Sequence, residues 1–201
     1  MVMVLNLAVF GSGRGSNFQA ILQAIDSGSL DAKILVVISD KENARILELA
    51  RNSGIPAYAV SPKGYDSRRA HEQAILEILR KYPIEFIVLA GYMRIITPYL
   101  LNQYPNRFIN IHPSLLPSFK GLHAQRQALE YGVKVTGATV HLVNEEVDAG
   151  KILAQKCVPV LEDDTEETLS ARILEVEHEL LPTVLQEIAI GKIKIELEGM
   201  A

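Results

Sequence analysis

Short apolar runs alternate along this chain with longer stretches whose apolar residues recur at helical spacing. Val4 to Phe10 is almost unbroken in its apolar character, as a parallel strand covered on both faces requires. Lys33 to Ser39 reads the same way, and Ala57 to Val60, Phe86 to Ala90 and Phe108 to His112 are further strands. Helices are predicted between them, over Ser16 to Ile25, Ala44 to Asn52, Ser67 to Lys81 and Thr97 to Gln103. Their ends are marked. Ser16 and Gln19 have capping-box spacing, Gly54 stands where a helix C-terminus favours glycine, and Pro98 takes a first helical position. Another helix is expected over Ala124 to Tyr131, closed at Gly132. Val135 to Val143 alternates two kinds of side chain, as a strand with two unlike faces does, and Ile152 to Val160 is a last strand. Asp164 with Glu167 repeats the N-cap pairing ahead of a long helix to about Ala189, which Pro182 should kink or restart. This order predicts an α/β fold, a single-domain, doubly wound, mostly parallel sheet of the Rossmann-like kind, with antiparallel strands near the C-terminus.

Composition narrows the function classes. With 201 residues the chain suits one domain over 1–201, and the 48% apolar content is enough for a real core. A net charge of −4 argues against a nucleic-acid partner, which would need a basic face. Cys157 is the single cysteine, so no internal disulfide is possible and a reducing, cytoplasmic setting is expected. Lying within a strand, Cys157 is expected to be inert core. No Cys/His cluster has metal-ligand spacing, and no metal is expected. Met1 to Phe10 lacks the basic start and small-residue cleavage site of a leader, and no apolar run reaches membrane-spanning length.

Two segments carry candidate chemistry. Gly11-Ser12-Gly13-Arg14-Gly15-Ser16-Asn17 joins the first strand to the first helix, where glycines let backbone N–H groups approach an anion and the helix dipole favours it. A dinucleotide fingerprint would want glycine in place of Ser16, so a single phosphate fits better; a purely structural turn is the alternative. Asp40, closing the second strand, could hold a ribose or cap the Lys41–Asn43 turn. The second segment is Asn110-Ile111-His112-Pro113-Ser114-Leu115-Leu116-Pro117. Residues two apart on a strand share a face, so Asn110 and His112 project together at a strand's carboxyl end. Asn supplies a donor for a developing oxyanion, and His moves protons near neutral pH.

The run Asn110 to Pro117, continued by Phe119 and Gly121, resembles the signature of the folate-dependent formyltransferases. Gly13–Asn17, Ala90-Gly91-Tyr92-Met93-Arg94 and Asp148-Ala149-Gly150 with Gln155 follow in the expected order, so the resemblance covers almost the whole chain. It implies Asn110, His112 and Asp148 as catalytic residues, the Asp148 carboxylate favouring the charged imidazole. It implies 10-formyltetrahydrofolate as co-substrate and phosphoribosylglycinamide as acceptor, with no nucleic acid and no membrane; a homodimer is allowed and not required. Gly15, Ser16 and Asn17 would hold the acceptor's phosphate and Glu177 its glycinamide end, a solvated helix face being the alternative for Glu177. Arg68, Met93, Arg94, Ile95, Ile96, Asn110, Asn144, Glu145, Glu146, Val147 and Asp148 would form the folate side, although Met93 and Ile95 could be ordinary core. The phosphate half would span about 1–100 and the folate and catalytic half about 101–201. His71 and His141 are expected to be structural, while His123 lies near the active turn. Rival activities are hydrolysis of formyltetrahydrofolate, whose enzymes usually carry an extra N-terminal domain; formylation of a tRNA, whose enzymes carry an extra C-terminal one; or non-enzymatic nucleotide binding.

Overall fold

Residues 3–196 are described by a computed structural model; Met1 and Val2, at the head of the first apolar run, lie outside them. The elements in order are β1 (Leu5–Phe10), α1 (Ser16–Asp26), β2 (Ala32–Ser39), α2 (Arg45–Asn52), β3 (Ala57–Ala59), α3 (Arg68–Leu79), β4 (Phe86–Leu89), α4 (Pro98–Leu101), β5 (Phe108–His112), α5 (Ala124–Tyr131), β6 (Val135–Leu142), β7 (Ile152–Pro159) and α6 (Glu166–Ala189). The strands form one sheet in the order β3-β2-β1-β4-β5-β6-β7. β1 to β5 pair in parallel, and β6 and β7 pair antiparallel.

Successive residues of β1 feed opposite faces of the sheet, which explains its unbroken apolar run. Leu5, Leu7 and Val9 pack with Phe18, Ile21, Ile46 and Leu185. Ala8 and Phe10 pack on the other side with Ile75, Leu79 and Leu100. Truncating a core residue such as fully buried Phe18 to alanine would cost about 3–5 kcal/mol. The chain before β1 meets the end of α6, where Met3 N donates to the Ala189 carbonyl at 3.2 Å. Among the described residues, no helix is long and apolar enough to cross a membrane.

Several sequence expectations need correction. Ser16 does not cap α1. Gly15 does, at φ 76, with no side-chain cap, and Ser16 becomes the first helical residue. At α6 the cap is Thr165, whose hydroxyl exchanges bonds with Thr168 in the capping box expected of Asp164 and Glu167. Asp164 instead receives two bonds from Arg172, at 2.8 and 2.9 Å, which hold its carboxyl well below the usual range. α6 does not restart at Pro182 but continues through it as one helix, with that residue buried. The two faces of β6 are unlike in chemistry, but both are buried from Thr136 onward. Cys157 is exposed, not core, since β7 is the edge of the sheet.

Candidate active site

The carboxyl ends of β1, β4 and β5 point the same way, so the loops leaving them share one rim of the sheet. The loop after β1 is pressed against α2 and the chain beyond β4. A Cβ on Gly11 would meet Ile46 Cδ1 at 2.6 Å and the Ala90 oxygen at 3.0 Å; one on Gly15, already in the left-handed region, would meet Ile46 Cα at 3.0 Å. Glycine is what permits that approach. The start of α1 then opens on a cavity of about 450 Å³ lined by Gly15, Ser16, Asn17, Lys41, Ile111 and Glu177 among others. Glu177 is only 7% exposed, so the solvated-face alternative fails. Its Oε2 accepts from Asn17 Nδ2 at 2.8 Å. Burial pushes its carboxyl up to about 7 against the opposing pull of the Asn17 amide. Asn17 Oδ1 is buried without a partner among the described residues, an acceptor available to a donor in the cavity.

Beside this cavity, Asn110 and His112 stand two residues apart on β5, and the loop after β6 returns Asp148 to them. His112 Nδ1 lies 3.4 Å from Asp148 Oδ2. His112 Nε2 donates to the Phe119 carbonyl at 2.8 Å, so both ring nitrogens are engaged within the protein. Asp148 adopts φ 50, a conformation its short polar side chain tolerates, and accepts from Gly121 N at 2.8 Å. The turn between is anchored by β6 and β7: Thr139 Oγ1 accepts from Leu116 N and donates to the Ser114 oxygen, while Gln155 Nε2 donates to the Leu116 oxygen.

His141, expected to be structural, lies in this cluster and holds one of its members. Nδ1 donates to the Leu142 carbonyl at 2.9 Å, leaving Nε2 to accept from Asn110 Nδ2 at 3.2 Å. Burial lowers the His141 pKa, which keeps the ring neutral and suits this tautomer. The contact fixes the Asn110 amide, whose second N–H has no hydrogen-bond partner among the described residues. The signal in the sequence is Thr139 and His141, two apart like Asn110 and His112. Only the antiparallel register, Asn110 opposite His141 and His112 opposite Thr139, brings the two pairs together.

The expected folate residues divide. Arg68, Arg94, Ile95 and Ile96 line a narrow cleft with His71, Glu72 and Tyr92, of about 10 Å³, room for one water. Met93 lines the larger cavity instead. Met93 and Ile95 are 62% and 54% exposed, so neither is core. Asn144, Glu145, Glu146 and Val147 are exposed, and neither of these two cavities is lined by them. His71 Nε2 donates to the Val60 carbonyl at 2.8 Å, as a structural histidine would. His123 is exposed, 3.9 Å from Glu166. Asp40 is buried, with Oδ1 unpartnered among the described residues, and does not line the 450 Å³ cavity.

A family of known proteins, formyl transferase, matches residues 5–185. A phosphoribosylglycinamide formyltransferase of Bacillus subtilis (strain 168) is 47% identical over 181 residues, covering 90% of this chain and 93% of that protein. Its counterpart in Escherichia coli (strain K12) is 39% identical, covering 95% and 90%. The solved structure of glycinamide ribonucleotide transformylase 1 from Symbiobacterium toebii superposes with a TM-score of 0.93 at 46% identity, covering 98% of this chain and 95% of that one.

Proposed function

The chain belongs to the formyl transferase family, and from that premise we infer that it carries the formyl group of 10-formyltetrahydrofolate to the amine of 5′-phosphoribosylglycinamide, a step of purine biosynthesis. The observation that carries this reading is adjacency: the Asn110–His112–Asp148 cluster abuts the glycine-loop cavity, whose wall includes the neighbouring Ile111 and Pro113. The acceptor's phosphate is assigned to the α1 N-terminus at Gly15, Ser16 and Asn17, with Lys41 adding positive charge. Glu177 is assigned to the acceptor's hydrogen-bond donors, those of its glycinamide end. The folate side is assigned to Arg68, Met93, Arg94, Ile95, Ile96 and the loop Asn144–Asp148. The cleft at Arg68 and Arg94 must widen to take a pterin, and Gly91, whose missing Cβ has no neighbour within 4 Å, leaves the backbone open to a flat ring. A cytoplasmic location fits the single unpaired thiol, Cys157.

A free amine of this kind titrates around pH 8, so part of it is neutral at pH 7 and needs no strong base. The second N–H of Asn110 and the imidazolium of His112 would stabilise the oxyanion, one such donor contributing about 3–4 kcal/mol. For that, His112 must turn away from the Phe119 carbonyl, while Asp148 keeps the Nδ1 proton in place. The amine nitrogen bonds to the formyl carbon as the carbonyl pair moves to oxygen; His112 then gives its Nε2 proton to the folate nitrogen as that C–N bond breaks, and the proton shed by the attacking amine returns to His112 through water, restoring the starting enzyme. The test is formyl transfer with the ribotide, water and initiator tRNA as competing acceptors. Formylated ribotide should dominate; formate or formyl-tRNA as the main product overturns the reading. His112→Ala and Asp148→Asn should each lower turnover by roughly a hundredfold or more with the melting temperature little changed.

A further inference from the structure

We propose that Ser12 is a positioning residue that couples the two substrate sites, its hydroxyl tying the phosphate loop to the 91–96 segment so that a bound ribotide firms the folate side. The proposal rests on the function inferred above. Hydrogen bonding between β1 and β4 continues past the ends of both strands. Ala90 N donates to the Phe10 carbonyl at 2.8 Å, and Ser12 N to the Gly91 carbonyl at 3.0 Å. At the next rung a side chain replaces the backbone acceptor: Met93 N donates to Ser12 Oγ at 2.8 Å.

Ser12 is 4% exposed, and both it and Met93 line the 450 Å³ cavity. A hydroxyl offers one proton as well as lone pairs. Among the described residues, no protein acceptor takes the Ser12 proton, and the cavity it lines is the one assigned to an oxygen-rich phosphoester. A hydroxyl that donates becomes a better acceptor, because successive hydrogen bonds polarise one another. An acceptor oxygen on the ribotide would therefore strengthen the bond to Met93 N and narrow the range of positions open to Met93–Ile96. By reciprocity, folate binding must tighten the ribotide by the same factor.

The test needs no turnover. Tetrahydrofolate and phosphoribosylglycinamide cannot react together, because the formyl group is missing. Tetrahydrofolate binding is measured calorimetrically with and without saturating ribotide. In the wild-type protein the ribotide should tighten it by roughly threefold to tenfold, the scale of one hydrogen bond. Ser12→Ala, which also gives up a bond to the ribotide, should bind the ribotide more weakly, still bind tetrahydrofolate, and lose the coupling when the ribotide is saturating. Met93→Pro removes the same bond from the donor side; since Met93 belongs to the assigned folate side it should bind tetrahydrofolate more weakly, and saturating ribotide should no longer tighten that binding. Coupling that survives in both variants, or none in the wild-type protein, overturns the proposal. Failure of the inferred activity would be seen separately, as no formylated ribotide from wild-type enzyme.

Discussion

Glu177 feels two opposed influences, removal from water and the amide of Asn17, and the first is the larger. The folded protein holds the Glu177 proton up to about pH 7, whereas the unfolded chain releases it near 4.5. Across that interval the unfolded state binds fewer protons, so stability falls as pH rises through it and levels off above. The full effect is about 3 kcal/mol. Glu177→Gln should flatten this part of the profile, which urea midpoints at about pH 5 and about pH 7.5 would reveal. An identical slope in both proteins would assign the proton to another group. His141 has the opposite sign. Its folded pKa is depressed by burial, so the stability tied to its neutral form is lost as pH falls through the acid range.

At the scale of elements, the loop from Val143 to Lys151 sets the distance between Asp148 and His112, and Gly150 is its tightest point. A Cβ there would lie 1.7 Å from the Leu142 oxygen. Gly150→Ala should therefore shift the loop and lower turnover by roughly a hundredfold, the scale of a small misplacement of reacting groups. Steady-state rates beside melting curves would check this; full activity in the variant would mean that the loop relaxes without moving Asp148. The strands were legible as apolar runs because both faces of a parallel sheet are covered, and Asn110-x-His112 was legible because strand periodicity is local. The caps were not. Ser16 with Gln19 and Asp164 with Glu167 have the right spacing, but a left-handed glycine and a threonine pair supply the actual caps. Cross-strand register was equally hidden, which is why the pairing of His141 with Asn110 was not legible. Nothing in the residues around Cys157 says that its strand is an edge.

On the scale of the whole molecule, the candidate site's cavity is lined by residues from Ser12 to Glu177, so the described parts of the proposed halves at about 1–100 and 101–201 share one sheet and one cavity. Ligand binding should act on the entire fold. At a hundredfold excess over its dissociation constant, the ribotide should stabilise the chain by about 2.7 kcal/mol, raising the midpoint by about 5–10 °C in a single transition. Scanning calorimetry would show it, and two transitions of which one shifts would mean that the halves fold separately. The bond between Met3 and Ala189 has a different consequence. The start of the described chain therefore lies against the last residue of α6. A permuted gene that joins Ala189 to Met3 through a short spacer, leaving out residues 190–201, and starts anew at the exposed Gly132 should still thread the same sheet.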